Sequence, residues 1–169
     1  ARPQNTAFYF KEGITWNKIS RERFAVKYKP KGSIFDDTSR SAFIDEIEDI
    51  PYLVGFLCSS VCFNYLKALN PTMSFTNNDL ERLPFIQCSK YKFMISQLVK
   101  ENIGISQFDW DTFEQSWNFT KNPLLIYGKS SLLSYAFSAW SLILDKNFAR
   151  LKNNEEELNR IFIEIYGLQ

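Results

Sequence analysis

The stretch Tyr52–Leu69, YLVGFLCSSVCFNYLKAL, constrains this chain most, because nowhere else do apolar residues recur so densely at helical spacing. Val54, Leu57, Val61 and Tyr65 fall on one face, and Leu53, Phe56 and Phe63 widen it. The spacing predicts one apolar helix that needs a partner layer. Pro51 suits its first turn, and Asn70-Pro71 is a hard stop: Asn favours a left-handed terminator and Pro cannot continue a helix. Ser59, Ser60, Asn64 and Lys67 interrupt the run, which falls short of the roughly 18–20 apolar residues of a membrane span. Beyond the stop an extended piece ends near Phe75, Asn77 or Asn78 caps the short turn Asp79–Arg82, and Leu83-Pro84 closes it.

The residues before this helix read as short strands. Phe8-Tyr9-Phe10, Ile14–Ser20 (ITWNKIS), Phe24–Tyr28 (FAVKY), Ser33-Ile34-Phe35 and Ala42-Phe43-Ile44 are strand candidates. Turn signals at Lys11-Glu12-Gly13 and Pro30-Lys31-Gly32 and the polar loop Asp36–Ser41 separate them, as in a small antiparallel sheet. The residues after it read as helices. Ser89–Glu101 is one, stopped by Asn102-Ile103-Gly104. Trp110, Phe113 and Trp117 share a helical face and are expected in a core. A long helix runs from Ser130, is interrupted at Asn153-Asn154, and restarts behind Glu155, Glu156 and Glu157, where a first turn favours negative charge. The expected fold class is α+β: a small, mostly antiparallel sheet packed on an apolar helix, followed by a helical C-terminal region. The expected domains are residues 1–88, a recognition-like α/β subdomain, and 89–169, a helical subdomain.

Composition narrows the function. Aromatic residues make up 17% of the chain, 16 of them Phe, enough for a packed core and too many for a disordered chain. There is no histidine, so Ser-His-Asp and Cys-His catalysis are excluded and a zinc site is not expected. None of the six glycines forms a G-x-G, so no dinucleotide or phosphate loop is present. Three cysteines, Cys58, Cys62 and Cys88, without a CxxC motif, suggest reduced thiols in a cytosolic chain. Glu46 with Asp49, or Asp109 with Asp111, read as solvated charge rather than acid/base pairs. The opening ARPQNT carries no signal peptide and reads, like the end at Gln169, as the interior of a longer protein.

Net charge is +1, but its distribution is uneven. Lys11, Lys18, Arg21, Arg23, Lys27, Lys29 and Lys31 crowd the first strands, and acidic residues follow from Asp36 to Asp49. A basic block suits a local anionic contact; solvated lysines on exposed strands are the alternative. Asn70-Pro71-Thr72-Met73 resembles the Asn-Pro-Pro-aromatic loop with which adenine-N6 methyltransferases hold a flipped adenine. Thr72 replaces the second Pro and Met73 the aromatic, and Asn122-Pro123-Leu124-Leu125 departs likewise, so neither is a catalytic loop.

Four segments in order, FYFKEGITWNKIS, LKALNPTMSFTNNDLERLPF, FDWDTFEQSWNF and NEEELNRIFIEIYGLQ, resemble the C-terminal part of PglX-type adenine-specific DNA methyltransferases of BREX phage-defence systems, and of related type II restriction-modification enzymes. The resemblance implies a target-recognition region of a bacterial cytoplasmic enzyme, with catalysis and S-adenosylmethionine elsewhere in the parent and no cofactor in this chain. The implied partners are double-stranded DNA and the methyltransferase domain of the same polypeptide, with no membrane. Lys18, Arg21, Arg23, Lys27, Lys29 and Lys31 are the expected phosphate contacts; Thr38, Ser39, Arg40, Thr72 and Ser74 are expected nearer the bases. Arg40 pairs alternatively with Asp36 or Asp37, and Asn70 and Asn77 serve alternatively as caps. A helical protein-interaction module is the rival reading.

Overall fold

The computed structural model describes residues 3–20, 23–128 and 132–168. The fold is α+β. Three antiparallel strands, β1 (Gly13–Asn17), β2 (Lys27–Lys29) and β3 (Ser39–Ala42), form a sheet in the order β2-β1-β3. The helices among the described residues are α1 (Ile50–Cys58), α2 (Ser60–Leu69), α3 (Asn77–Glu81), α4 (Ser89–Trp110), α5 (Pro123–Tyr127) and α6 (Leu133–Ile165). None is long and apolar enough to cross a membrane by itself. The chain divides into two compact units, Ala1–Val99 with Leu158–Gln169, and Lys100–Glu157. The sequence boundary at 88/89 falls inside the first.

In the first unit β1 is the central strand because it alternates: Ile14 and Trp16 face inward and are buried, while Thr15 and Asn17 face outward. The inner face meets Phe24, Val26 and Phe75. Phe24 packs edge-on to Trp16 with ring centres 6.4 Å apart and lies 5.1 Å from Phe75. The Trp16 indole donates to the Phe75 carbonyl at 3.3 Å. A second cluster gathers on α1, where Tyr52 and Phe56 each lie 5.8 Å from Phe162, and Ile95, Val99 and Ile161 are buried. The Tyr52 hydroxyl donates to the Ile86 carbonyl at 3.1 Å and accepts the Cys88 N–H at 3.0 Å, which fixes the approach to α4.

The expected single helix over Tyr52–Leu69 is two. Ser59 is extended, its hydroxyl accepts the Cys62 N–H and caps α2, and the pair of helices bends by 67°. Asn70 stops α2 in an extended rather than a left-handed conformation. Thr76, not Asn77 or Asn78, caps α3, through a reciprocal capping box with Asp79. Phe8-Tyr9-Phe10 is no strand: a short 3-10 turn covers Thr6–Phe8, and the rings pack instead, Phe8 stacked on Phe43 at 5.2 Å and Tyr9 edge-on to Phe35 at 5.5 Å. FAVKY contributes only its end to β2, and Ser33-Ile34-Phe35 lies outside the ladder. β3 begins earlier than expected because Asp36 accepts the N–H groups of Thr38 and Ser39 and turns the chain there.

In the second unit, Asn102-Ile103-Gly104 does not stop α4, and Asn153-Asn154 does not interrupt α6. One set of contacts accounts for both. Asn154 is buried and donates to Glu101 at 2.9 Å and Asn102 at 2.8 Å, and Arg150 donates to Glu101 at 2.7 Å. Trp140 packs between Tyr127 at 5.6 Å and Phe108 at 5.9 Å. The expected aromatic core stripe is absent: α4 ends at Trp110, which is exposed, and Phe113 and Trp117 are exposed on the turns that follow. Asp111 and Ser116 pin those turns from within, since Ser116 donates to Asp111 at 2.5 Å and Asn118 N–H donates to Ser116 at 3.1 Å. The expected helix start at Ser130 lies outside the described residues.

Candidate nucleic-acid interface

The first unit presents a polar sheet face. Thr15 on β1 stands in register between Lys27 of β2 and Ser41 of β3, and Asn17 stands beside Ser39. Lys27, Asn17 and Ser39 are exposed. Where β1 runs out, the chain is tied on both sides. Lys18 N–H donates to the Thr38 carbonyl at 3.0 Å, and Phe75 N–H donates to the Lys18 carbonyl at 2.8 Å. An isolated bridge then pairs Ile19 with Ser74. These ties bring Lys18, Thr38 and Ser74 together from segments distant in sequence.

Asp37 lies at the centre of this group. Its carboxylate accepts from Lys18 Nζ at 2.7 Å and from Arg40 Nη2 at 2.9 Å. Arg40 Nη1 reaches Asn77 Oδ1 at 3.3 Å. The Lys18 hydrogen bond and charge, reinforced by Arg40, hold the Asp37 carboxyl below the usual range. Asp36 is also held below it, by the Ser39 N–H and the Thr38 hydroxyl. Arg40 Nε and Ser41 Oγ are buried without a hydrogen-bond partner.

The remaining expected contacts separate from this group. Lys31 is exposed on the turn after β2. Arg23 donates to the Cys58 carbonyl at 2.9 Å, on the far end of α1. Arg21 lies outside the described residues. Lys29 requires a correction: it is 4% exposed, and its ammonium donates to the Lys11 carbonyl at 2.7 Å and the Ser33 carbonyl at 2.9 Å, beneath the Phe43 ring. Burial pushes its pKa down, and the side chain ties the turn rather than facing an anion. Thr72 is exposed, but its hydroxyl donates to Asn70 Oδ1 at 2.6 Å. The Asn70 amide donates in turn to Ser74 O at 2.9 Å and Asp79 at 3.0 Å, so Asn70 organises its own loop. Asn17 and the bridging role of Asp37 were not singled out by the sequence. The polar positions of the GITWN alternation were the available signal for Asn17.

Among the described residues there is no parallel strand pair, and no cluster of His, Cys, Asp and Glu suited to a metal.

No family model matches the chain. Its relatives are adenine-specific methyltransferases, aligned over nearly all of this chain and a small part of theirs. Adenine-specific methyltransferase PglX of Lacticaseibacillus casei (strain Zhang) is 37% identical over 169 residues, covering 98% of this chain and 14% of that protein. Adenine-specific methyltransferase BrxX of Escherichia coli O9:H4 (strain HS) is 32% identical over 171 residues, covering 100% of this chain and 14% of that protein. The chain thus spans about one seventh of the length of these curated relatives.

Proposed function

We propose that this chain is the non-catalytic, double-stranded DNA-recognition portion of an adenine-N6 DNA methyltransferase of the phage-defence or restriction-modification kind. The observation that carries the reading is the convergence of Lys18, Arg40, Thr38, Ser74 and Asn77 where β1 ends and β3 begins; Lys27, Asn17 and Ser39 lie on the other face of the sheet, since Arg40 pairs with the inward-facing Trp16. Cations there suit phosphates, and the short hydroxyl and amide side chains suit base edges. Recognition is assigned to residues 1–88. Methyl transfer and S-adenosylmethionine are assigned to parts of the parent outside this chain, in keeping with the methyltransferase relatives.

The test is binding of labelled duplex DNA across a salt series. Wild type should weaken linearly in log–log form as salt rises. Lys18→Glu/Lys27→Glu/Lys31→Glu should lose binding while keeping its circular dichroism spectrum. Unchanged affinity in that variant would remove the proposal.

One observation favours a second role. Trp117 is fully exposed on its pinned turn in the second unit, with Phe113 53% and Trp110 54% exposed. Exposed aromatic anchors of this kind suit a protein partner, here the methyltransferase domain or another defence component. Loss of partner capture in Trp117→Ala with DNA binding intact would support that role.

A further inference from the structure

We propose that Lys18 and Arg40 form a clamp for one backbone phosphate of duplex DNA, and that the Asp37 carboxylate occupies the clamp as a displaceable stand-in. The proposal rests on the DNA-recognition reading and deepens it. Two cations from different strand ends converge on one carboxylate, Lys18 at 2.7 Å and Arg40 at 2.9 Å, each on a different oxygen. That arrangement marks where an oxyanion fits between them. Asn77 holds the other Nη of Arg40 at 3.3 Å, and the Thr38 carbonyl fixes the Lys18 backbone, so the cationic walls stay in place if the carboxylate leaves. Asp36 is engaged separately with Thr38 and Ser39, which leaves Asp37 as the carboxylate inside the clamp.

The magnitudes favour exchange. The Asp37 side chain is 71% exposed, against 34% for Lys18 and 21% for Arg40. Exposed ion pairs are worth about 0–1 kcal/mol, so Asp37 is easily displaced. A DNA phosphate brings charge-assisted hydrogen bonds to both cations and releases condensed counterions. The carboxylate also acts as a filter. Displacing it lowers the affinity of every anionic contact that seats poorly, and so disfavours loosely docked DNA.

The experiment measures duplex binding by fluorescence anisotropy over a salt series for wild type, Asp37→Asn and Asp37→Ala. Asp45→Asn serves as a control that removes the same charge outside the clamp. Both Asp37 variants should bind about tenfold tighter at low salt, with a log–log salt slope steeper by no more than about 1. Asp45→Asn should change affinity by less than about twofold. The gain should vanish in Asp37→Asn/Lys18→Gln/Arg40→Gln. Equal tightening by Asp45→Asn, or a gain that survives in the triple variant, would overturn the clamp. If wild type binds duplex through Lys27 and Lys31 but the Asp37 variants match it, the clamp alone fails. If neither wild type nor the Asp37 variants bind duplex, the DNA-recognition reading fails with it.

Discussion

The side-chain carbonyl of Asn159 accepts the Ser60 N–H at 2.7 Å and the Ser60 hydroxyl at 2.8 Å, a contact between residues 99 positions apart. It supplies the first turn of α2 with an acceptor that the bend at Ser59 would otherwise leave missing. Asn159→Ala should destabilise the first unit by about 1–2 kcal/mol, read from chemical denaturation. Asn159→Asp keeps the acceptor and adds charge at a helix N-terminus, so it should cost clearly less. Equal losses in the two variants would argue against the cap.

Gly55 sits where α1 meets its partners. A Cβ there would lie 3.0 Å from Val99 Cγ2, 3.1 Å from Ile95 Cγ2 and 3.5 Å from Phe162 Cε2. Gly55→Ala gains roughly 1 kcal/mol of helix propensity but meets an overpacking cost of about 1–3 kcal/mol. The crowding should win, with a net loss near 1 kcal/mol. Gly55→Leu should prevent a cooperative transition. A stabilised Gly55→Ala would mean that these side chains move aside freely.

Asp79 gives the fold a dependence on acid. Burial pushes its carboxyl up, but hydrogen bonds from the Thr76 N–H and hydroxyl and from Asn70 outweigh it, with help from the Arg82 charge. The folded value therefore lies below the ordinary 3.8. As pH falls the unfolded chain takes up this proton first, so the stabilisation is present above about pH 4 and is lost as pH drops through the folded value. Asp79→Ala should cost about 1–2 kcal/mol at neutral pH. Asp79→Asn should flatten part of the fall in Tm as the pH drops below about 4. Parallel Tm curves for wild type and Asp79→Asn would contradict the assignment.

Lys29 separates a structural cation from the exposed ones. Lys29→Met removes the donor shared by the Lys11 and Ser33 carbonyls and should destabilise the protein by about 1–3 kcal/mol. At temperatures where the variant stays folded, the salt slope of DNA binding should match wild type, whereas Lys27→Met should reduce it by about 1. A reduced slope in Lys29→Met would return this residue to the proposed DNA contacts.

The α+β class was legible because the local patterns agree: alternation in GITWN, helical spacing around Tyr52, and turn residues between short strands. What was hidden depended on distant partners. The unbroken α6 needs the buried Asn154 and its acceptors on α4, which periodicity does not reveal. Lys29 reads as exposed beside Lys27, and only the return of the chain to Ser33 buries its ammonium. At the candidate interface, an ion pair of Arg40 with Asp36 or Asp37 was readable from their nearness in sequence, and the structure selects Asp37. The arrival of Lys18 on the same carboxylate was not, because the pairing of β1 with β3 creates it.

The first unit is built from both ends of the chain, and this shapes how the protein tolerates change. Ile161 and Phe162 are completely buried, yet they are synthesised after the whole of residues 100–157. During translation the cluster around Tyr52 and Phe56 must wait, unfilled, until the last helix emerges. Residues 100–157 are thus an excursion between two halves of one core. The entropic cost of closing such an excursion grows slowly, by about 0.6 kcal/mol per doubling of its length. Insertions in its turns should therefore be accommodated far more readily than loss of the dozen residues that follow it.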